Sequence, residues 1–504
     1  MMESFPLASR EQGVALRRML RDRGFTTDEV CRRAAVTSIY DFRSIRDGRT
    51  AGVELADPVD LLIRLFMDVE LVERDTIESL LSPGECRLLD DLGLLTDAGD
   101  GRAHASLLLY PTESIWIASD LNASPTKAAS GGLREDAVYP AITKNTRHFL
   151  ASLPSTPCDR LLDLCAGTGI AALLAAPSVG HAWAVDITER ATRFARFNAA
   201  LNGIENCTAV QGDLYAPVAG AVFDRIVAHP PYMPALEQKY IFRDGGEDGE
   251  QITRGILAGL PLHLAPGGSL YCTCMLTDRE GARAEQRIRR LLGDREAEFD
   301  LILLAHQSFP PTEYYFQLAL AGRVSLEEVH RRHEIFRKLG VERLVYASIV
   351  IRRHRSARPA YTARRQAGPQ SHAPELEWLD RWETAATDPG LPERLMQARP
   401  RVAPSCRMRL SHAPGEGEWL VEDCLLTTPW PFPLEARCPP WTASLLNRCD
   451  GRRTVEEHLG WLKAEGLVPA DAGGREFAAL VRSLVAGGFL EVPEFALPGR
   501  EPAA

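Results

Sequence analysis

The sequence is poor in the patterns that build metal and disulfide frameworks. Its 11 cysteines are scattered, no C-x-x-C spacing occurs, and Cys272-Thr-Cys274 is the only close pair. A zinc site or a disulfide scaffold is therefore not expected, and no metal is assigned. Free thiols fit a reducing, cytoplasmic compartment. Long apolar runs are missing as well. No stretch approaches the roughly 18 residues of a membrane span, so no membrane partner is expected. The opening Met1-Met-Glu-Ser-Phe-Pro6 lacks the basic-then-apolar pattern of a signal peptide. Positive charge is not in excess. A net charge of −10 argues against nonspecific nucleic-acid binding by the whole surface, while leaving room for a local basic face. No internal repeat is present. With 504 residues, 45% of them apolar, the chain has material for two to four domains with real cores.

Residues 1–125 read as mostly helical. Val14, Leu16, Met19 and Leu20 recur at helical spacing before Gly24. Asp60–Leu71, Ile77–Leu81 and Cys86–Leu92 follow as helical runs. Gly93–Thr96 and Ala105–Tyr110 read as a hairpin around Asp97–Gly101, and Ser114–Ser119 as a further strand. Helices followed by a hairpin suggest a winged-helix-like module, but a helical cap on the core that follows, with no DNA role, is the favoured reading. Residues 121–135 read as a loop and Asp136–Leu153 as a helix. Across residues 126–356 strands and helices alternate. The strand candidates are Arg160–Cys165, Ala182–Asp186, Thr208–Gln211, Arg225–His229, Ser269–Met275, Asp300–His306 and Leu344–Arg352. Such alternation implies an α/β domain with a parallel sheet covered on both faces. Residues 357–404 read as a linker, with one helix over Glu375–Thr384. Residues 405–504 read as a further unit: an extended Glu418–Leu426, helices over Pro440–Arg448, Thr454–Glu465 and Glu476–Gly488, and a strand at Phe489–Val492.

Two stretches carry chemistry. Leu161-Leu-Asp-Leu-Cys-Ala-Gly-Thr-Gly-Ile170 reads as a buried strand that ends in a glycine turn and opens a helix. His229-Pro-Pro-Tyr232 reads as a rigid turn at the end of a later strand. Gly167 and Gly169 let the backbone approach a ligand closely. Asp186 falls about 20 residues beyond them, where an acid can accept ribose hydroxyl protons. Asp213, in Gln211-Gly-Asp-Leu214, is placed for an adenine edge, and Asp163, ahead of the turn, for a cofactor ammonium. Gly167-Thr-Gly169-Ile-Ala-Ala172 also fits a loose dinucleotide pattern. Asp163, Asp213 and Pro230-Pro231 together favour S-adenosylmethionine instead.

Leu162–Gly169, Asn198-Ala-Ala-Leu-Asn-Gly203, Gln211–Leu214, Phe223–Tyr232, Arg243-Asp-Gly-Gly-Glu-Asp-Gly249 and Leu264–Gly268 stand in order. By these pieces residues 136–352 resemble class I S-adenosylmethionine-dependent methyltransferases, specifically the small methyltransferase domain shared with release-factor glutamine methyltransferases. The resemblance implies a Rossmann-like seven-stranded sheet with Leu344–Arg352 as its antiparallel last strand. It implies S-adenosylmethionine as cofactor, held by Asp163, Cys165, Ala166, Gly167, Thr168, Gly169, Asp186, Ile187, Asp213 and Leu214. It also implies an acceptor site of His229, Pro230, Pro231 and Tyr232, with Arg243, Asp244, Gly245 and Gly246 in a loop that closes over substrate. One position departs from the family. Asn or Asp is usual where this chain has His229; there a side-chain oxygen accepts one hydrogen bond from the substrate NH2 and a carbonyl of the Pro-Pro turn accepts the other. Histidine offers one acceptor nitrogen, and only when neutral. It can still orient an amine or act as a general base. Nitrogen is the expected acceptor atom, with oxygen and carbon open.

The basic run Arg331, Arg332, His333, Arg337, Lys338, Arg352, Arg353, His354, Arg355, Arg358, Arg364 and Arg365 fits either RNA phosphates or a solvated face. Asp450-Gly-Arg-Arg-Thr454 and Gly488-Phe-Leu490 resemble the winged-helix module of peptide chaperones in ribosomal-peptide pathways and those appended to ribosomal oxygenases. That resemblance implies a peptide or protein partner, or self-association as a homodimer. The combined expectation is a methyltransferase acting on a protein, peptide or RNA nitrogen. Its rivals are a small-molecule natural-product methyltransferase and a winged-helix regulatory binding protein with a degenerate core.

Overall fold

The computed structural model describes residues 8–42, 55–121 and 134–495, apart from 323, 370, 416 and 418. Residues 122–133 of the expected 121–135 loop lie outside the described residues. Two compact units divide the chain: Met1–Glu296 with Pro310–Leu344, and Ala297–Phe309 with Val345–Ala504.

The first unit opens on helix Arg10–Asp22, which starts at a Ser9/Gln12 capping box and buries Leu16, Met19 and Leu20. Helix Pro83–Asp91 uses the same device with Ser82 and Glu85, and sets Pro83 in its first turn. Strands β1 (Val72–Glu73), β2 (Leu95–Asp97) and β3 (Arg102–Ala105) form a small antiparallel sheet in the order β1-β3-β2. The expected second arm, Ala105–Tyr110, is broken. Ser106 turns back, its N–H donating to Leu94 O and its hydroxyl to Gly93 O. The apolar residues beyond it begin a separate hairpin, β4 (Leu108–Thr112) with β5 (Ile115–Ser119).

The expected helix over Asp136–Leu153 shrinks to Lys144–Ala151, capped by Thr143. Pro140 cannot sit in a helix interior, and nearby N–H groups find other acceptors: Val138 donates to Asp120, and Ala141 to the Tyr110 hydroxyl. There follow β6 (Cys158–Leu164), β7 (Val179–Asp186), β8 (Cys207–Gln211), β9 (Phe223–Ala228) and β10 (Leu264–Arg279). All pair in parallel, in the order β10-β9-β6-β7-β8. Leu161, Leu162 and Leu164 of β6 are fully buried, as a strand covered on both faces requires. The order reverses between β6 and β9, the place where α/β sheets open a crevice at their carboxyl ends.

Helix Glu189–Asn202 joins this sheet to the N-terminal region. Its Phe194, Phe197 and Leu201 share one hydrophobic core with Leu16, Leu20 and Phe25, and with Ile170 and Leu173 beside the sheet. Gly13 lies against the Ala200 carbonyl; a Cβ there would sit 2.4 Å from that oxygen.

The segment after the His-Pro-Pro-Tyr turn is pinned at both ends. Asp244 accepts from Lys239 N and Tyr240 N at 2.8 Å each, and Gly245 N donates to Met233 O at 2.9 Å. Further on, the buried Glu250 accepts from Thr277 N, the Thr277 hydroxyl and Arg287. Asp248 binds Arg254 and Arg279, each at 2.6 Å. Burial pushes the Asp248 carboxyl up, but these arginines outweigh it and hold it below its usual range.

In the second unit, β11 (Phe299–Phe309) pairs in parallel with β13 (Thr362–Gln366), and β12 (Val341–Arg353) contributes most of its length. Strand β13 is not among the strands expected from sequence. The stretch 357–404 is therefore no plain linker. It holds β13, helix Ala373–Ala386 with Trp378 and Trp382 buried, and helix Leu391–Gln397. Strand β14 (Arg401–Val402) pairs with β18 (Leu490–Glu491), and β15 (Arg407–Pro414), β16 (Trp419–Thr428) and β17 (Leu434–Cys438) make an antiparallel meander. Helices Trp441–Leu446, Val455–Ala464 and Gly474–Ala486 fall where helices were expected. Within this unit much of the basic run is neutralised: Arg352 pairs with Asp380, Arg353 with Glu298, Arg358 with Asp300 and Arg365 with Glu383. In the first unit Arg332 pairs with Glu328 and donates to Pro234 O. These arginines are thus not a free phosphate-binding face. Among the described residues no helix is long and apolar enough to cross a membrane, and no group of three or more His, Cys, Asp or Glu could hold a metal ion.

Three substitutions test this packing. Gly13→Ala should lower stability by about 2 kcal/mol through its clash with the Ala200 carbonyl. Gly84→Ala, with open space around it, should leave the urea midpoint nearly unchanged. Glu250→Ala should cost about 3 kcal/mol, because it strands buried cationic partners. A urea midpoint for Glu250→Ala equal to wild type would show that the clamp carries no stability.

Candidate functional site

The carboxyl ends of β6, β7, β8 and β9 bring most of the sequence-derived candidates together. Asp163 lies level with Ala184 of β7 and Val227 of β9. It is 2% exposed, and the hydrogen bond it accepts is from Ala172 N at 3.2 Å. Burial, together with the charge of Asp186, raises its carboxyl to about 8. Asp186 accepts from Gly167 N at 2.9 Å, Thr188 N at 3.0 Å and the Thr188 hydroxyl at 3.1 Å. Its carboxyl is also raised, again chiefly by burial.

Between these acids the chain turns tightly. Cys165, Gly167 and Gly169 all have positive φ, at 57°, 52° and 79°. Glycine adopts this conformation freely, whereas a cysteine does so under strain. Ala166 N donates to Val185 O, and Thr168 is buried. The Cys165 thiol is pushed well up by burial, and then by Asp186, Asp163 and Asp213, so four candidate groups share one electrostatic neighbourhood. Such a thiol stays protonated and is not a nucleophile. Ile187 is exposed beside Asp186, Asp213 is exposed at the end of β8, and Leu214 follows it with φ of 45°.

Ala228, the last residue of β9, lies level with Leu164, so His229-Pro-Pro-Tyr232 leaves the sheet beside the glycine turn. His229 stacks on Phe149, with centroids 5.2 Å apart, and lies 5.7 Å from the Tyr232 ring. Burial and, secondarily, His148 lower its pKa to about 4, so the imidazole is neutral at physiological pH. Its Nε2 is buried and has no hydrogen-bond partner among the described residues. The Tyr232 hydroxyl accepts from Asn145 Nδ2 at 2.5 Å.

Arg243, Asp244, Gly245 and Gly246 lie directly against this turn. Met233 N donates to Arg243 O and Ala235 N to Gly246 O. Arg243 stacks over Tyr240 at 4.7 Å and pairs with Asp244. These bonds hold the segment against the turn in this structure. Asn145 and Phe149 were missed from sequence. Both stand on the helix whose start Pro140 displaced.

Residues 139–296 match the family described as Methyltransferase small domain. The chain is 40% identical over 131 residues to a ribosomal protein uL3 glutamine methyltransferase of Bradyrhizobium diazoefficiens, covering 23% of this chain and 41% of that protein. A uL3 glutamine methyltransferase of Bordetella pertussis is 38% identical, with 22% and 42% covered. A release factor glutamine methyltransferase of Thermodesulfovibrio yellowstonii is 30% identical, with 24% and 47% covered. The chain thus spans less than half the length of the curated relatives it matches. A solved ribosomal protein L11 methylase from Lactobacillus delbrueckii subsp. bulgaricus is 19% identical, with 39% and 70% covered and a TM-score of 0.23; the fold assignment rests on the strand order above. The central α/β part of this chain, over residues 139–296, is thus similar to a methyltransferase small domain.

Proposed function

We propose that this protein transfers a methyl group from S-adenosylmethionine to a nitrogen of a protein acceptor. The observation that carries the reading is the acidic crevice: at adjoining strand ends Asp163 is buried and Asp186 half-buried, with raised carboxyls and no ion pair to either among the described residues. The donor set fits a sulfonium amino acid with an adenosine tail. Asp163 would meet the ammonium. The Cys165, Ala166, Gly167, Thr168 and Gly169 turn would lie along the amino-acid part. Asp186 would accept from the ribose hydroxyls, with Ile187 against the adenine and Asp213 and Leu214 at its edge. The cofactor itself supplies a sulfonium leaving group, so the protein's task is alignment. Positioning of this kind is worth roughly 7–11 kcal/mol.

On the acceptor side His229 Nε2, neutral and lacking a partner, would accept an N–H and hold the nitrogen lone pair toward the methyl carbon. Carbonyls of the rigid Pro230-Pro231 turn would accept a second N–H. Tyr232, held by Asn145, and the Arg243–Gly246 segment would confine the group. The relatives' names point to the first acceptors to try, ribosomal protein uL3 and a release factor, offered with a labelled donor. Methyl incorporation on a glutamine nitrogen is the expected outcome. Labelling of neither protein, with small-molecule amines labelled instead, would overturn the choice of acceptor.

Two predictions follow from the charges. S-adenosylhomocysteine should bind wild type with micromolar affinity by calorimetry, and Asp186→Ala should abolish the heat. Binding to Asp163 requires its ionised form. The raised pKa therefore means that affinity is greatest above about pH 8 and falls by up to tenfold per unit as pH drops below it. Asp163→Asn should bind weakly at every pH, with that slope removed. A wild-type affinity flat between pH 6 and 8 would show that Asp163 does not face the ammonium. His229→Ala should keep cofactor affinity and lose turnover. With its pKa near 4, His229 should leave no inflection in turnover near pH 6.5.

A further inference from the structure

Two asparagines, one turn apart on helix Glu189–Asn202, do something the motif comparison leaves unexplained. Among the described residues strand β5 pairs with β4 alone, so its other edge offers backbone groups to other partners. Asn202 fills the first gap: its Oδ1 accepts from Trp116 N at 3.0 Å, and its Nδ2 donates to Trp116 O at 2.7 Å. Asn198, 0% exposed, fills the next: Oδ1 accepts from Ala118 N at 2.7 Å, and Nδ2 donates to Ala118 O at 3.1 Å. A side-chain amide carries donor and acceptor side by side, as a peptide does. Residues i and i+4 of a helix rise about 6 Å, close to the roughly 6.8 Å between alternate strand residues. The helix thus acts as a substitute strand along β5.

Asn198 alone reaches further. The second hydrogen of its Nδ2 goes to Thr168 O in the glycine turn, at 2.9 Å. That carbonyl lacks its ordinary helical donor, because Ala172 N is taken by Asp163. Two exchanged bonds therefore shape the turn: the acid takes the helix N–H, and the asparagine satisfies the carbonyl left behind.

We infer that Asn198 is a positioning residue which ties the glycine turn to β5, so that the N-terminal hairpin sets the shape of the cofactor site without touching cofactor. The affinity part rests on the cofactor reading above. Asn202→Ala is the control, since it breaks the same hairpin contact and spares Thr168. Asn198→Ala should weaken S-adenosylhomocysteine binding about tenfold, the scale of one buried hydrogen bond and its stranded carbonyl. It should also speed amide hydrogen exchange across residues 166–172 in ligand-free protein. Asn202→Ala should lower the melting temperature while leaving affinity within about twofold and exchange in the turn unchanged. Should Asn198→Ala not fold, Asn198→Asp keeps the bond from Ala118 N, loses both donated bonds, and carries the same expectation. Equal effects from positions 198 and 202, or none from 198, would overturn the proposal. If wild type fails to bind S-adenosylhomocysteine, the cofactor reading falls, yet the exchange comparison still decides the role of Asn198.

Discussion

An acid buried at the end of β6, without a cation, is the constraint from which the rest of the site takes its form. Asp163 is held by one backbone N–H, and burial lifts its carboxyl to about 8. Taking an ionised carboxylate out of water is unfavourable unless a partner compensates it. No cation among the described residues pairs with it. Asp186 stands near enough to add repulsion, and the backbone between the two acids is bent through three positive-φ residues. A structural ion pair would look different, as Asp248 with Arg254 and Arg279 does a short way along the chain. The contrast between these two acidic places, one neutralised and one left open, separates scaffold from site. It also weighs against a binding protein with a degenerate core, in which an uncompensated buried acid would have no counterpart to hold it in place.

Helix Glu189–Asn202 makes that site part of a larger body. One side lies over β7 and β8, and the other meets helix Arg10–Asp22 so closely that only a glycine fits at position 13. Arg190 at its start pairs with Asp120, which also accepts from Val138 N just ahead of helix Lys144–Ala151. The N-terminal region therefore shares its core with the helices beside the β6–β9 sheet and is not a reader tethered by a flexible link. An insertion or truncation there would disturb the glycine turn through packing alone.

The parts of this architecture that were legible in sequence are those whose cause is local. The Leu-rich β6, the Gly-Thr-Gly turn, Asp186 at the end of β7 and the Pro-Pro turn each announce themselves within a few residues. What stayed hidden depends on distant partners. Thr362–Gln366 carries two arginines and little apolar surface, so it does not look like a strand until β11 lies beside it and Arg365 meets Glu383. Phe149 and Asn145 reach His229 and Tyr232 from a helix whose start is set by Pro140 and by acceptors on Asp120 and Tyr110. Asn198 stood in plain sight within a recognisable motif, but its amide has meaning only once β5 offers an open edge.

On the proposed reading, His229 is where chemistry constrains the acceptor most. Stacked on Phe149 and with its Nε2 buried, the ring is lowered to a pKa of about 4, so at neutral pH it presents a lone pair and not a charge. An amide or carboxylate oxygen in that place has two lone pairs; the imidazole has one, in the ring plane. An acceptor held there must therefore aim a single N–H along that plane and place its second hydrogen, if it has one, on the proline turn. The Arg243–Gly246 segment is bonded against that turn. On the same reading, with the ring held by stacking and the turn by proline geometry, selectivity would fall on the shape of the incoming nitrogen and not on its basicity. That would favour a planar, weakly basic group over a freely rotating ammonium, which would have to lose a proton before it could present a lone pair at all.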